Sequence, residues 1–558
     1  MIFHVLVEFF YARCIFNFKI KKNVGCSKQQ VLVPLIVVSV VVCTLNSEQS
    51  PSSTWFSLSS HQWTTWGTIT TITSTGGVQQ ATPHHTNTTT TTTTRTGYST
   101  SSNGVLLSRL PDLDAVEEEK EALFNSSTFN ASSSTTSQHQ LLTLEITDDE
   151  HLPPPSASNE GYTNKKDVKR YRKLEKIEAG LARARDSILK AARNRNLTMT
   201  HDDPDYVPQG AIYRNAYSFH RSYLEMEKKF KIFVYEEGEP PIFHDGPCKS
   251  IYSTEGMFIH QMEMENHFRT KDPDQAHVYF LPFSVVRMVQ YLYEPNSHEI
   301  ESIGRTVIDY VNVVARKYSH WNRSLGGDHF MLSCHDWGPR TSAYVPELFD
   351  NSIRVLCNAN TSEGFNPSKD ASFPEIHLRT GEITGLLGGA SPSRRSVLAF
   401  FAGRLHGHIR YLLLQQWKNK DQDVQVYDAL PNGVSYNNML KKSKYCLCPS
   451  GYEVASPRVV EAIYAECVPV LISDNYVPPF SDVLNWDSFS VQIAVSDIPN
   501  IKRILTGISQ SRYLKMQRRV KQVQKHFAVN GPPKRFDVFH MIVHSIWLRR
   551  LNFRVINV

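Results

Sequence analysis

The stretch Tyr445-Cys-Leu-Cys-Pro-Ser-Gly-Tyr-Glu-Val-Ala-Ser-Pro-Arg-Val-Val-Glu461 decides the fold class of this chain. It begins as a short buried strand, continues through a loop that contains Gly451, and becomes helical over residues 456–465. Ser456 can cap that helix, and Pro457 suits its first helical position. A second apolar strand follows at residues 468–473. A strand, a glycine loop, a helix and another strand together predict a parallel α/β sheet.

The start of this helix has the chemistry of a diphosphate site. Helix N-termini present free N–H groups and positive dipole, and Arg458 adds a forked cationic donor. Glu461 lies one turn further and faces the same way, so it can accept hydrogen bonds from ribose hydroxyls. Together with Gly451, Glu453 and Ser456, these two residues predict a site for a nucleotide diphosphate. The alternative interpretation is a capped surface helix with an Arg–Glu pair.

The same alternation of strands and helices precedes this stretch. Its elements are expected at residues 396–402, 409–417, 424–427 and 436–443. Gly403 and Arg404 follow the first of these strands, at the sheet edge where such folds bind ligands. Arg404 can therefore reach the same phosphate, although a surface arginine in a turn would have the same sequence pattern.

An earlier set of elements predicts a second sheet. Strands are expected at residues 231–235, 276–282 and 328–333, and a helix at residues 300–318. The third strand leads into His335 and Asp336, and either of these could accept a proton from an acceptor hydroxyl as general base. Alternatively, they only hydrogen-bond neighbouring backbone. The two sets meet near residues 380–390, which predicts two sheets facing a cleft.

Charge and motifs argue against several other functions. The net charge of +6 over 558 residues is too mild to favour a nucleic-acid partner. No P-loop, HExxH or GxSxG pattern occurs. Short Asp-x-Asp patterns, which metal-dependent transferases use, occur at 112–114, 203–205, 272–274 and 421–423, but none follows an apolar strand. We therefore expect no metal, which leaves Arg404, Arg458 and the helix dipole to stabilise a departing diphosphate.

The N-terminal part predicts a membrane anchor and a stem. Residues 31–45 form an uncharged apolar run of 15 residues, which is shorter than the about 20 residues of a full span. Arginine and lysines precede the run and Glu48 follows it, which places the bulk of the chain in a lumen. The rival interpretation is a cleaved signal peptide, but no good cleavage site follows.

The segment after the anchor has a different composition. Residues 50–160 are rich in Ser and Thr, which predicts a disordered stem. A basic amphipathic helix is expected at residues 165–195. It would lie against the membrane, pair with another chain, or stay solvated at the end of the stem.

Cysteines and glycosylation sequons agree with a lumenal location. Six cysteines lie in the part expected to be globular, where an oxidising compartment allows up to three disulfides. Cys446 and Cys448 alternate as on a strand, so zinc binding is not expected. Sequons at Asn322 and Asn360 fit the same compartment.

Long motifs carry a resemblance to a known family. They include KIFVYEEGEPPIFHDGPC, GMFIHQME, DPDQAHVYFLPFS, DHFMLSCHDWGP, FFAGRLHG and YCLCPSGYEVASPRVVEAIYAECVPV. With these motifs the chain resembles the plant branch of the exostosin-like glycosyltransferases, from about residue 212 to about residue 489. Glu466 is a departure, because a glycine often precedes the Cys-Val-Pro strand in that family.

The resemblance implies a GT-B fold, with two facing Rossmann-like domains at residues 206–385 and 386–558. A cytosolic tail (1–30), a signal anchor (31–47) and a stem with its helix (48–205) would precede them. By analogy Arg404, Arg458 and Glu461 belong to the donor-binding domain. Residues 333–339 would lie on the acceptor side, with Asp336 or His335 as the base.

The resemblance also implies an activity and a place. The expected reaction is metal-independent, inverting transfer from a UDP-sugar, with no cofactor, to pectin, hemicellulose or a glycoprotein glycan. The expected location is the Golgi membrane, with the catalytic part lumenal, and complexes with other glycosyltransferases are possible partners. Two alternatives stay open: an inactive scaffold for a related transferase, and a carbohydrate-binding receptor at the cell surface.

Overall fold

Two parallel β-sheets, built one after the other along the chain, form the fold. The computed structural model describes residues 165–194 and 206–555, except Glu265 and His298. The predicted cytosolic tail, anchor and Ser/Thr-rich segment lie outside these residues. Within the described ranges, no helix is long and apolar enough to cross a membrane.

The first sheet is surrounded by short helices. The helices of this half are α1 Lys165–Asn194, α2 Ala216–Lys229, α3 Ser253–Glu263, α4 Val285–Leu292, α5 Glu301–Lys317, α6 Ser319–Ser324, α7 Gly338–Ser342 and α8 Pro346–Asp350. The strands are β1 Ile232–Val234, β2 Arg269–Thr270, β3 Val278–Phe280, β4 His329–Ser333, β5 Ile353–Leu356 and β6 Ala371–Ser372. Their spatial order is β2-β1-β3-β4-β5-β6, and every pairing is parallel.

The second sheet follows the same plan. Its strands are β7 Val397–Ala402, β8 Val424–Tyr427, β9 Ser443–Pro449, β10 Val468–Ile472 and β11 Val491–Ile493. Its helices are α9 His408–Trp417, α10 Tyr436–Lys442, α11 Arg458–Tyr464, α12 Ile501–Thr506, α13 Gln510–Phe527 and α14 Val538–Leu551. The spatial order is β11-β10-β9-β7-β8, again all parallel. Two parallel α/β sheets that share a cleft fit the expected GT-B type.

The last helix returns to the first sheet. Helix α14 packs against α1, α2, β5 and β6, although the residues just before it belong to the second half. Trp547 is fully buried, donates from Nε1 to Ser222 Oγ at 3.2 Å, and packs edge-on against the Phe230 ring. By its contacts α14 therefore belongs with the first sheet, although the expected second domain ran to residue 558.

Helix α1 forms as predicted, but the interpretation that it stays solvated at the end of a stem is wrong. Leu181 and Ala184 on its apolar stripe are fully buried, and the helix packs on α2 and α14. Its Glu178 forms a buried ion pair with Arg550 of α14. The apolar spacing that predicted the helix is the face by which it joins the globular body.

Two disulfides join cysteines of the globular part. Cys334 pairs with Cys357, which links the ends of β4 and β5. Cys446 of β9 pairs with Cys467, directly before β10. Cys448 is a buried free thiol. The alternating pair Cys446 and Cys448 therefore splits into one disulfide partner and one thiol.

Candidate active site

A cavity of about 1090 Å³ lies between the two halves, at the carboxyl ends of their strands. Open α/β sheets bind ligands at that edge. Six of the eight residues predicted from the sequence line it, and they come from both halves: Asp336, Arg404, Gly451, Glu453, Arg458 and Glu461. His335 and Ser456 do not line it. The structure thus brings the six together, while their roles remain predictions.

Arg458 is held against the end of β7. Its Nη2 donates to the carbonyl oxygen of Ala402 at 3.2 Å, and its guanidinium lies 5.2 Å from the centre of the Phe401 ring. A Cβ at Gly403 would overlap Arg458 Nη2, so the glycine leaves room for the guanidinium. The residues of the FFAG motif thus fix a cation on the cavity wall.

Glu461 is held by groups from three directions. Tyr436 donates its hydroxyl to Oε2 at 2.7 Å, and His377 Nδ1 lies 3.7 Å from Oε1. Burial by itself raises the pKa of Glu461, but His377, the charge of Arg458 and the Tyr436 hydroxyl outweigh it and bring the pKa below its ordinary value. Glu461 is therefore an ionised acceptor, because its neighbours favour the charged form.

The predicted cap of the following helix is wrong. Helix α11 has seven residues and begins at Arg458, with Pro457 as its N-cap and no capping side chain. Ser456 is buried, and its Oγ has no hydrogen-bond partner. Pro457 has helical backbone angles, yet the Oγ of the preceding Ser456 makes no hydrogen bond to the N–H groups at the start of the helix. The positive charge at this point is therefore mainly the guanidinium of Arg458.

Two loops of the second half touch at the cavity. Gly407 has φ of 81°, and a Cβ there would overlap the carbonyl oxygen of Gly451. The ring of His406 meets the ring of Tyr452 edge-on at 4.5 Å between centres. Arg404 is exposed at the mouth of the cavity beside this contact. Because Gly407 and Gly451 have no side chains, their two loops can approach closely, and residues of both loops line the same cavity.

On the opposite wall, the structure separates the two candidate bases. Asp336 lines the cavity. His335 is buried behind it, its ring 5.2 Å from that of Tyr252, and its Nδ1 accepts a hydrogen bond from the backbone N–H of Trp337 at 3.1 Å. A base must reach the acceptor hydroxyl, so this geometry favours Asp336.

A buried acid supports the loop that carries Asp336. Glu255 in the first turn of α3 is fully buried, accepts a hydrogen bond from Ser284 Oγ, and accepts the backbone N–H of Cys334 at 2.7 Å. Burial raises the pKa of Glu255 to about 7, against the opposing effect of these hydrogen bonds. It connects α3 to the end of β4, directly before the acceptor-side loop.

The family model for the exostosin GT47 domain matches residues 226–508, which is half of the chain. The chain belongs to the exostosin GT47 family of glycosyltransferases. The matched region holds both sheets and every residue that lines the cavity. Helix α14, which packs on β5 and β6 of this exostosin domain, and helix α1, which packs on α2 and α14, lie outside the matched range.

The chain is similar to several plant proteins. Two proteins of Arabidopsis thaliana, each described as a probable glycosyltransferase, are 64% and 59% identical to this chain over 68% of its length. The alignments cover 73% and 82% of those proteins. A protein of Oryza sativa subsp. japonica described as a probable glucuronosyltransferase is 25% identical over 57% of this chain and 81% of its own length.

In two of the Asp-x-Asp patterns, both carboxylates form ion pairs with one lysine. Lys502 Nζ lies 2.8 Å from Asp421 and 2.9 Å from Asp423. Lys173 of α1 contacts Asp272 and Asp274 in the same way. The other two patterns, at 112–114 and 203–205, lie outside the described residues. Across the part of the chain that the structure describes, no three His, Cys, Asp or Glu residues cluster as metal ligands.

Several residues of the site have no signal in the sequence. Tyr436 and His377 contact Glu461 from elements distant in the chain, and Glu255 acts through a helix remote from its loop. Asn358, which follows β5, is buried at the junction of the two halves. Polar residues before or inside a helix or strand are common in any sequence. These four residues therefore stand out only through the residues that they contact in the folded protein.

Proposed function

We propose that this exostosin-family protein transfers a sugar from a UDP-sugar to a hydroxyl of a cell-wall polysaccharide or glycoprotein glycan, with inversion and without a metal. The observation that carries the proposal is the cavity itself. One wall presents Arg404, Arg458 and Glu461, and the facing wall presents Asp336. A donor and an acceptor hydroxyl can therefore meet between the two halves.

The second half suits the nucleotide diphosphate. Arg458 is fixed by Ala402 and Phe401, so its guanidinium is already oriented for phosphate oxygens. Arg404 stands at the cavity mouth and can add a second cation. Ionised Glu461 offers acceptor oxygens to the ribose hydroxyls.

The reaction then follows from the two walls. Asp336 accepts the proton of the acceptor hydroxyl as its oxygen attacks the anomeric carbon from the face opposite the leaving group. The bond from that carbon to the diphosphate breaks, and its electron pair leaves with UDP. Arg404 and Arg458 stabilise the charge that accumulates on the departing phosphate. Movement of the halves toward each other would exclude water from the donor.

The proposed compartment is the Golgi lumen, with the predicted segment 31–47 as a type II anchor. Two disulfides support an oxidising compartment, because cytosolic reductants keep most thiols reduced. The rice relative's printed name puts glucuronic acid among the candidate sugars, beside xylose, galactose and arabinose. An inactive scaffold partner of another glycosyltransferase is the second candidate.

The test measures UDP release by the full-length protein with a panel of UDP-sugars in the presence of EDTA. We expect slow hydrolysis of one donor and its loss in Glu461→Ala. Arg458→Ala should weaken UDP binding about tenfold to a hundredfold in calorimetry, because it removes charge-assisted hydrogen bonds. Arg518→Ala, on the exposed face of α13, is the matched control and should bind UDP normally.

The other outcomes separate the parts of the proposal. Turnover that stops with EDTA and returns with a divalent cation would refute metal independence alone. Neither binding of UDP nor release from any donor would favour the scaffold. Full activity in Glu461→Ala and Arg458→Ala would place the donor elsewhere.

A further inference from the structure

Asn358 joins three segments that meet at the cavity. Its side chain is 1% exposed. Nδ2 lies within hydrogen-bond distance of three acceptors: 2.7 Å from Glu453 Oε2, 3.1 Å from Glu363 Oε2 and 3.3 Å from the backbone oxygen of Asp336. One amide nitrogen therefore shares its two hydrogens among an acid of the second half, an acid of the first half and the loop of the candidate base.

The position of Asn358 in the chain makes this bridge rigid. It directly follows Cys357, whose disulfide to Cys334 ties the end of β5 to the end of β4. Asn360 donates to Glu363 Oε1 at 2.8 Å, which fixes one of the two carboxylates. The bridge thus starts from a cross-linked sheet edge and reaches Glu453, which lies in a loop of the opposite sheet.

Two backbone hydrogen bonds between the halves lie elsewhere. Thr361 donates its N–H to the oxygen of Asn475 at 3.1 Å, and Val477 donates to the oxygen of Ala359 at 3.0 Å. These backbone bonds hold the segment after β10. They do not involve the loop 449–457, which carries Gly451 and Glu453 to the cavity wall. The Asn358 amide is a direct link from that loop to the segment of Asp336.

We propose that Asn358 is a positioning residue that sets the donor-side loop 449–457 against the loop of Asp336, and so fixes the distance between donor and base. The proposal rests on the proposed function above. It assigns Asn358 no contact with substrate. Its effect should therefore appear in the rate of the bound complex and leave the affinity for UDP unchanged.

The variant Asn358→Asp distinguishes a positioning role from a purely structural one, because only the first predicts an activity loss that depends on pH. Asn358→Asp would face Glu363 and Glu453 with a third negative charge and no hydrogens to donate. Like charges at this distance repel, and protonation of one of them restores a donor. The deficit of this variant relative to wild type should therefore shrink as the pH falls, whereas the deficit of Asn358→Ala should not depend on pH.

The experiment compares Asn358→Ala, Asn358→Asp and the control Asn351→Ala, all in the full-length protein. Asn351 is an exposed asparagine that caps α8 and donates to the backbone oxygen of Leu325. We expect kcat to fall about tenfold to a hundredfold in Asn358→Ala, with the UDP dissociation constant unchanged. In Asn358→Asp the loss should be largest near pH 8 and should shrink toward about pH 6. Asn351→Ala should keep wild-type kcat.

Two results for the single variants would overturn the proposal. One is a wild-type kcat in Asn358→Ala. The other is an equal, pH-independent loss in both Asn358 variants together with equally lower melting temperatures, which would make Asn358 only a stabilising residue. A double-mutant cycle with Glu453→Gln should be non-additive, and additivity would also count against it.

A readout without turnover keeps this proposal separate from the proposed function. Hydrogen exchange of the nucleotide-free protein should be faster in Asn358→Ala than in wild type over both residues 333–339 and residues 449–457. Unchanged exchange in either segment would overturn the coupling. A wild-type protein that neither binds UDP nor uses any donor would refute the proposed function, while the exchange comparison would still decide this inference.

Discussion

Gly403 leaves space for the Arg458 guanidinium on the cavity wall, because a Cβ at position 403 would overlap Arg458 Nη2. In Gly403→Ala the flexible guanidinium must move, while strand β7, which ends one residue earlier at Ala402, stays intact. We expect UDP binding to weaken about tenfold or more by calorimetry, with the melting temperature nearly unchanged. Gly180→Ala is the control, because its Cβ would enter open space. Equal UDP binding in both variants would contradict this account of Arg458.

The two sequons of the globular part are not equivalent. Asn322 is exposed, whereas Asn360 is 7% exposed and its amide donates to Glu363. A glycan on Asn360 would replace one of the two amide hydrogens of a buried side chain, so it would disrupt the packing around this residue. Expressed in the secretory pathway, the protein should lose one glycan in Asn322→Gln and none in Asn360→Gln, as measured by electrophoretic mobility with and without endoglycosidase. A glycan at Asn360 would contradict the packing described here.

At the residue scale, the sequence predicted the lining of the cavity better than the contacts within it. Arg404, Arg458 and Glu461 could be found because strand ends and helix starts have local signatures. Asn358 could not, because its importance comes from Glu453, which lies far along the chain. The cap predicted at Ser456 does not form, because the helix begins at Arg458, one residue later than the pattern predicts, and the Ser456 Oγ makes no hydrogen bond.

At the scale of elements, Glu255 makes the contact between α3 and β4 sensitive to pH. Its pKa of about 7 lies above the ordinary 4.5. The unfolded chain therefore ionises first, so the stability that protonated Glu255 contributes is full below about pH 4.5 and is lost as the pH rises through about 7.

The test compares wild type with Glu255→Gln, which has no carboxyl to titrate. Denaturant unfolding over this pH range should show wild type losing about 3 kcal/mol relative to the variant. All other titrating groups are the same in both proteins, so their contributions cancel in the difference between the two free energies of unfolding. A difference that stays constant from pH 4.5 to pH 8 would show that Glu255 does not titrate in this window.

The predictability of each element follows its composition. Strands β1, β3, β4, β7, β8, β9 and β10 were all expected, because each is an apolar run bounded by polar or turn residues. Strand β5 was missed because Arg354 stands inside it, fully buried and paired with Asp370 of the next segment. Strands β2 and β6 have two residues each, which is too short for any periodicity.

At the scale of the molecule, helix α1 is a structural part of the catalytic body. Its removal would expose the partners of Leu181 and leave Arg550 buried without Glu178. Breaking a buried ion pair costs about 3–5 kcal/mol. A chain that begins at residue 206 should therefore unfold at markedly lower denaturant concentration than one that begins at residue 165. Equal unfolding midpoints for the two chains would show that α1 adds no stability.

The return of α14 to the first sheet has a consequence for biosynthesis. Strand β6 ends at Ser372, but the helix that covers it begins only at Val538. At translation rates of about 5–20 residues per second, the early sheet waits roughly ten to thirty seconds for its last partner. During that interval the face of the sheet that α14 will cover lacks this helix. A premature stop codon that removes only the final helix would therefore damage the half of the protein that the ribosome made first.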